Sequence, residues 1–131
     1  MGTSSDPVRL GLVRSLARPG GNTTGVSTQL IDLSAKRLEL LREAVPRLRQ
    51  VAILSNPANA TTIREARKET ELAARHLGVG VQSFEVVKDP TALEGVFGAI
   101  VRAKPDALIV IPDPLVLLHV SRIVEFTTRN R

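Results

Sequence analysis

Asp113 stands between two prolines, in "IPDPLVLLHV", where one apolar run ends and another begins. A carboxylate at that point has two uses. Asp followed by Pro is a preferred helix start, because the side chain accepts from the first unpaired N–H groups and proline at the first helical position has no N–H to leave unpaired. The same carboxylate can face a cation, such as a ligand ammonium. A second polar loop, "SNPAN" (residues 55–59), follows the other short apolar run, "VAIL". There Asn56 precedes a proline and is biased to extended backbone, while Asn59 suits a helix N-cap. Its amides, with the exposed N–H groups of the helix start that follows, would suit a carboxylate or hydroxyl. Together the loops offer one corner that favours an anion and one that favours a cation. Such a crevice fits a small zwitterion, for example an amino acid.

Other chemistry-bearing residues are weaker. "GGNTTGVS" (residues 20–27) has the outer spacing of a phosphate-binding loop, but Val26 occupies the position of the lysine that reaches the phosphates. It reads as a turn. His76 falls in the last turn of a helical pattern, where the dipole favours positive charge, and His119 follows Leu118 in the final apolar pattern. Neither belongs to a pair with metal-ligand spacing. Ser55, Asp113 and His119 have no nucleophile elbow around them to support a triad. The scattered arginines of the helical segments read as solvated faces.

The elements that position the two loops follow from periodicity. "VAIL" (51–54) and "ALIVI" (107–111) are short, β-branched and non-alternating, as strands covered on both faces should be. Residues 79–87 form a weaker third strand. The segments between are helical: 33–46, with Leu38, Leu41 and Val45 on one face and Pro46 as its stop; then Ile63, Ala66, Thr70, Ala73 and Leu77, with Gly78 as the C-terminal cap and Thr62 with Glu65 as a candidate capping box. The third helix starts at Asp89 and Pro90, buries Leu93, Phe97 and Ile100, and ends near Ala103. A last helix over 115–126 would turn Val116, Val120, Ile123 and Val124 inward. This alternation predicts a three-layer α/β/α sandwich with a parallel sheet, of flavodoxin-like or Rossmann-like character. Right-handed crossovers place the strand at Val51 in the centre, with the other two on either side. Ligands in open α/β sheets bind beyond the carboxyl ends of strands at such a switch point, which is where "SNPAN" and "PDP" fall. Residues 1–30 read as a connector with one extended piece near 25–28.

Composition narrows the class. A chain of 131 residues supports one core, and the absence of cysteine removes disulfides, thiolate nucleophiles and Cys-ligated metals. The net charge of +5 is spread out: residues 51–100 carry five Lys/Arg against six Asp/Glu. With three Phe and no Tyr or Trp, a stacking platform for nucleic acid is missing, so no nucleic-acid partner is expected. No cofactor motif is present, and neither a membrane-length apolar run nor an apolar signal core at "MGTSSDPVRL" is seen.

Three segments, "DPVRLGLVRSLARPGGNTTGVSTQ", "LSAKRLELLREAVPRLRQVAILSNPAN" and "DALIVIPDPLVLLHVSRIVEF", closely resemble the substrate-binding proteins of ABC importers with the type I periplasmic-binding fold. The "SLARPGGN" and "TGVS" runs are the most specific. The resemblance implies a two-lobed protein roughly twice this length or more, with a solute held between α/β lobes. By that comparison residues 1–30 are the end of the first lobe and the hinge connector, and 31–131 are the second lobe, incomplete. Ser27 would then face the cleft near the hinge, with Ser55, Asn56, Asn59 and Asp113 along the second-lobe wall. The resemblance further implies a non-enzymatic receptor, periplasmic or lipid-anchored outside the cytoplasm, with an ABC permease as partner of the full-length protein. Surface that meets the first lobe would be exposed here, so a homodimer burying it is expected. The competing class is a flavodoxin-like phosphoacceptor or enzyme domain. It would use Asp113 at a strand end but lacks the neighbouring carboxylates that Mg²⁺ needs.

Overall fold

A computed structural model describes residues 2–4, 8, 11–15, 17–18, 20–21, 25–27, 32–58 and 61–130. Among the described residues ten elements follow in order: β1 (Gly2–Ser4), β2 (Gly25–Ser27), α1 (Asp32–Ala44), β3 (Gln50–Ser55), α2 (Thr61–Leu77), β4 (Gly80–Glu85), α3 (Pro90–Ala103), β5 (Ala107–Val110), α4 (Pro114–Leu118) and α5 (Val120–Arg129). The main sheet has the order β4-β3-β5, parallel throughout, with Val51 beside both Val81 and Ala107. The central position of β3 is the one its uninterrupted apolar run requires. Val51, Ala52, Ile53 and Leu54 have no solvent exposure, and full burial of a Val, Leu or Ile side chain contributes roughly 1.5–3 kcal/mol.

Alternation along the strands divides the core between two helical layers. Val51, Ile53, Ala107 and Ile109 face α1 and α2, among Leu38, Ile63, Ala66 and Ala74. Ala52, Leu54, Leu108 and Val110 face the other layer, among Leu93, Phe97, Ile100, Val116 and Ile123. The rings of Phe97 and Phe126 stack there with centroids 4.4 Å apart, joining α3 to α5. The arrangement is therefore the expected three-layer sandwich.

The helix ends behave as their residues dictate. Asp89 caps α3 by accepting from the Thr91 N–H at 2.9 Å, with Pro90 in the first turn. Gly78, at φ +67°, closes α2, a left-handed conformation that glycine adopts without a Cβ clash. The candidate capping box at Thr62, like Asn59, lies outside the side chains described.

Three expectations need correction. The last helix is two helices broken at His119: α4 ends at Leu118, and α5 starts at Val120. Val116 and Ile123 are buried as expected, but Val120 and Val124 are exposed, because the inward stripe runs through His119 and Phe126 instead. A purely apolar pattern does not count the histidine. On α2 the inward stripe is wider than expected: Ile63, Ala66 and Thr70 are buried and Ala73 and Leu77 partly so, but Ala74 is fully buried as well. Finally, the N-terminal segment contributes a strand: β1 pairs in parallel with β2, Thr3 beside Val26, in a separate two-stranded sheet. A three-residue strand of Gly, Thr and Ser carries no apolar pattern by which it could be recognised.

Candidate ligand-binding site

Parallel pairing puts the carboxyl ends of β3, β4 and β5 on one rim, and the two polar loops meet there. The Ile111 N–H donates to the Leu54 carbonyl at 2.9 Å, so the ladder runs to the point where both loops begin. Directly beyond it the Asn56 Nδ2 donates to Asp113 Oδ1 at 3.0 Å. The loops expected to share a crevice are thus hydrogen-bonded to each other.

Asp113 is a helix cap. Its backbone is extended (φ −160°, ψ 156°), and Oδ1 accepts from the N–H groups of Leu115 at 2.8 Å and Val116 at 3.4 Å. The Leu117 N–H reaches the Asp113 carbonyl, completing the first turn of α4. Asn56 is fixed from both ends. While its Nδ2 donates to Asp113, its Oδ1 accepts from the Ala58 N–H at 3.0 Å, an Asx-type closure of the loop around Pro57. Both residues are largely buried, Asp113 at 6% and Asn56 at 9% exposure. Asn56 therefore braces the wall as well as lining it.

Ser55, the last residue of β3, is 3% exposed. It lines a cavity of about 220 Å³ with Asn56, Pro57, Ile63, Arg64, Arg67 and Glu85. Of the predicted binding residues, Ser55, Asn56 and Asp113 come together on this rim. Ser27 lies in the other sheet as the last residue of β2, with only its backbone described. Asn59 lies outside the described residues. Arg64, Arg67 and Glu85 were missed by the sequence reading. A usable signal was present: two arginines three apart, just after "SNPAN" and on one helical face.

Elsewhere on the molecule the conspicuous polar contact is structural. Asp106 accepts from the N–H groups of Arg49 at 2.7 Å and Gln50 at 2.9 Å, tying the start of β5 to the start of β3 on the opposite rim. Those two backbone bonds hold its carboxyl below the usual aspartate range. Among the described residues no three His, Cys, Asp or Glu side chains gather as a metal site, and no helix is long and apolar enough to cross a membrane.

Comparison with known proteins places this geometry in a family. The profile described as ABC transporter substrate binding protein matches residues 1–130. A tyrosine-binding protein of Clostridioides difficile is 27% identical over 131 residues, covering 97% of this chain and 35% of that protein. The ligand-free, open structure of a substrate binding protein with adhesive properties from Clostridium difficile superposes with a TM-score of 0.73 at 27% identity, over 98% of this chain and 42% of the other. An ABC domain from Streptococcus pneumonia in complex with L-Trp gives a TM-score of 0.68 at 24% identity, over 93% of this chain and 40% of the other, a likeness of fold. The chain thus spans 35% to 42% of the length of these relatives.

Proposed function

This chain belongs to the ABC transporter substrate binding protein family, and from that premise we propose that it forms one wall of an extracytoplasmic receptor for an amino acid. In this reading residues 1–30 carry the end of a first lobe and the hinge, and residues 31–131 carry the second lobe. The solute sits between the lobes and passes to an ABC permease, without chemistry. The observation that carries the proposal is the 3.0 Å bond between Asn56 and Asp113. It joins two loops from neighbouring strands into a single polar wall at the switch point, where α/β sheets bind ligands. The tyrosine-binding relative supports an amino acid as solute.

Ser27, Ser55, Asn56, Asn59 and Asp113 are the contact residues of this reading, with the Asp113 carboxylate as counter-charge to the ligand ammonium. A wall of this kind, without its facing lobe, leaves a ligand wet on one side, so weak binding is expected of the chain alone. Isolated chains are also proposed to pair through the surface that would meet the first lobe, and the apolar side chains exposed on α4 and α5 offer a second contact.

The test is a titration of the chain with L-tyrosine, followed by NMR. Saturable shifts confined to residues of the β3 and β5 loops are expected. Asp113→Asn keeps a capping oxygen but removes the charge, and should weaken L-tyrosine roughly tenfold. Unchanged affinity in that variant would remove the ammonium contact, and absence of any saturable shift would remove the amino-acid reading.

A further inference from the structure

Resting on the amino-acid reading, we infer that the cavity between the ends of β3 and β4 is the seat of the ligand's carboxylate, held by Arg64, Arg67 and the Ser55 hydroxyl. The cavity encloses about 220 Å³, enough for a small polar group. Its inner wall is Ser55, 3% exposed, which lines the cavity as the last residue of β3. A serine hydroxyl can donate one hydrogen bond, and a carboxylate oxygen in the cavity would accept it.

The outer wall is cationic. Arg64 has no ion pair among the described residues, and Arg67 has one weak pair, Nε to Glu71 Oε1 at 3.4 Å within its own helix. Both stand near the start of α2, whose first turn holds no acidic residue. Arg64, in the first turn, lies against the helix dipole and gains nothing from its own helix. A guanidinium presents a planar fork of donors that matches a carboxylate, which two flexible ammonium groups would not. Glu85 lines the same cavity, so two guanidinium groups face one carboxylate there.

Continuity with the ammonium corner gives the ligand a direction. Asn56 both lines this cavity and donates to Asp113. Anionic and cationic corners are therefore joined by one side chain, in the sequence Asp113, Asn56, Ser55, arginine pair. An α-amino acid would lie along this line with its ammonium toward β5 and its carboxylate toward β4.

The experiment compares L-tyrosine with tyramine, which keeps the ring and ammonium but has no carboxylate, on the whole chain and on Arg64→Gln/Arg67→Gln. The unsubstituted chain should bind L-tyrosine about tenfold or more tighter than tyramine. The double variant should lose that preference and bind tyramine no more weakly, because it removes two cations and no tyramine contact. Arg64→Lys/Arg67→Lys, which keeps the charge without the fork, should recover part of it. Both arginines are exposed or half-exposed, so the variants are expected to fold, as checked by far-UV circular dichroism. A retained preference for L-tyrosine in the Gln variant, or equal affinity for both probes in the unsubstituted chain, overturns the carboxylate seat and leaves the amino-acid reading standing. Failure of the unsubstituted chain to bind either probe overturns both.

Discussion

Asp113 performs two tasks that substitution can separate. As a cap it accepts from Leu115 and Val116, and as a brace it accepts from Asn56, all through Oδ1. Asp113→Asn retains an oxygen in that place, and Asn is as good an N-cap as Asp. Asp113→Ala removes the oxygen and strands the Asn56 amide. We therefore expect Asp113→Ala to cost about 1–3 kcal/mol in urea unfolding and Asp113→Asn less than ~1 kcal/mol. Equal costs for the two would mean that charge, and not the capping oxygen, holds the loop. At this scale the proline-flanked turns were legible, because Asp-Pro and Asn-Pro restrict the backbone and name the side chains left to cap it. The arginines were not. Arg64 and Arg67 have the spacing of any solvated helical face, and only the approach of Ser55 and Glu85 from other strands makes that face the wall of a cavity.

Among the elements, the three strands of the main sheet and their order were readable because buried parallel strands leave uninterrupted apolar runs. Helices α1 to α3 were readable from their stops and caps. The final helix was not, because its apolar residues satisfy one long pattern almost as well as two short ones. The break falls at His119, buried to 8% exposure, with its Nε2 unpartnered among the described residues. Strand-to-strand attachment on the amino-terminal rim leads to a pH prediction. The Asp106 carboxyl is held below its ordinary range by the Arg49 and Gln50 N–H groups. A depressed carboxylate adds stability that is complete above the unfolded-state value of ~3.9, and that is lost as pH falls through the lower folded-state value. Asp106→Ala should therefore unfold at lower urea than the unsubstituted chain at ~pH 6, and the gap should narrow toward ~pH 2. A gap independent of pH would mean that Asp106 acts through packing alone.

Across the whole molecule, the layer that holds the ligand wall also leaves apolar surface open. Leu117 is 62% exposed and Leu118 79%, with Val120 and Val124 beside them in sequence at 47% and 57%. Scattered exposed apolar residues are ordinary, but two leucines and two valines within eight positions of one helix pair concentrate apolar surface in water. Burying it against a second copy is a contact separate from the surface expected to meet the first lobe. Sedimentation velocity over a range of concentrations should show reversible dimer formation. Leu117→Glu/Leu118→Glu should weaken it about tenfold or more, because each glutamate must be desolvated at the interface. The rim with Asp113 and Asn56 lies at the other end of α4, so the same variant should keep its response to L-tyrosine. A monomer at every concentration rejects the pairing surface. Loss of the tyrosine response together with the dimer would instead place the ligand wall within the interface.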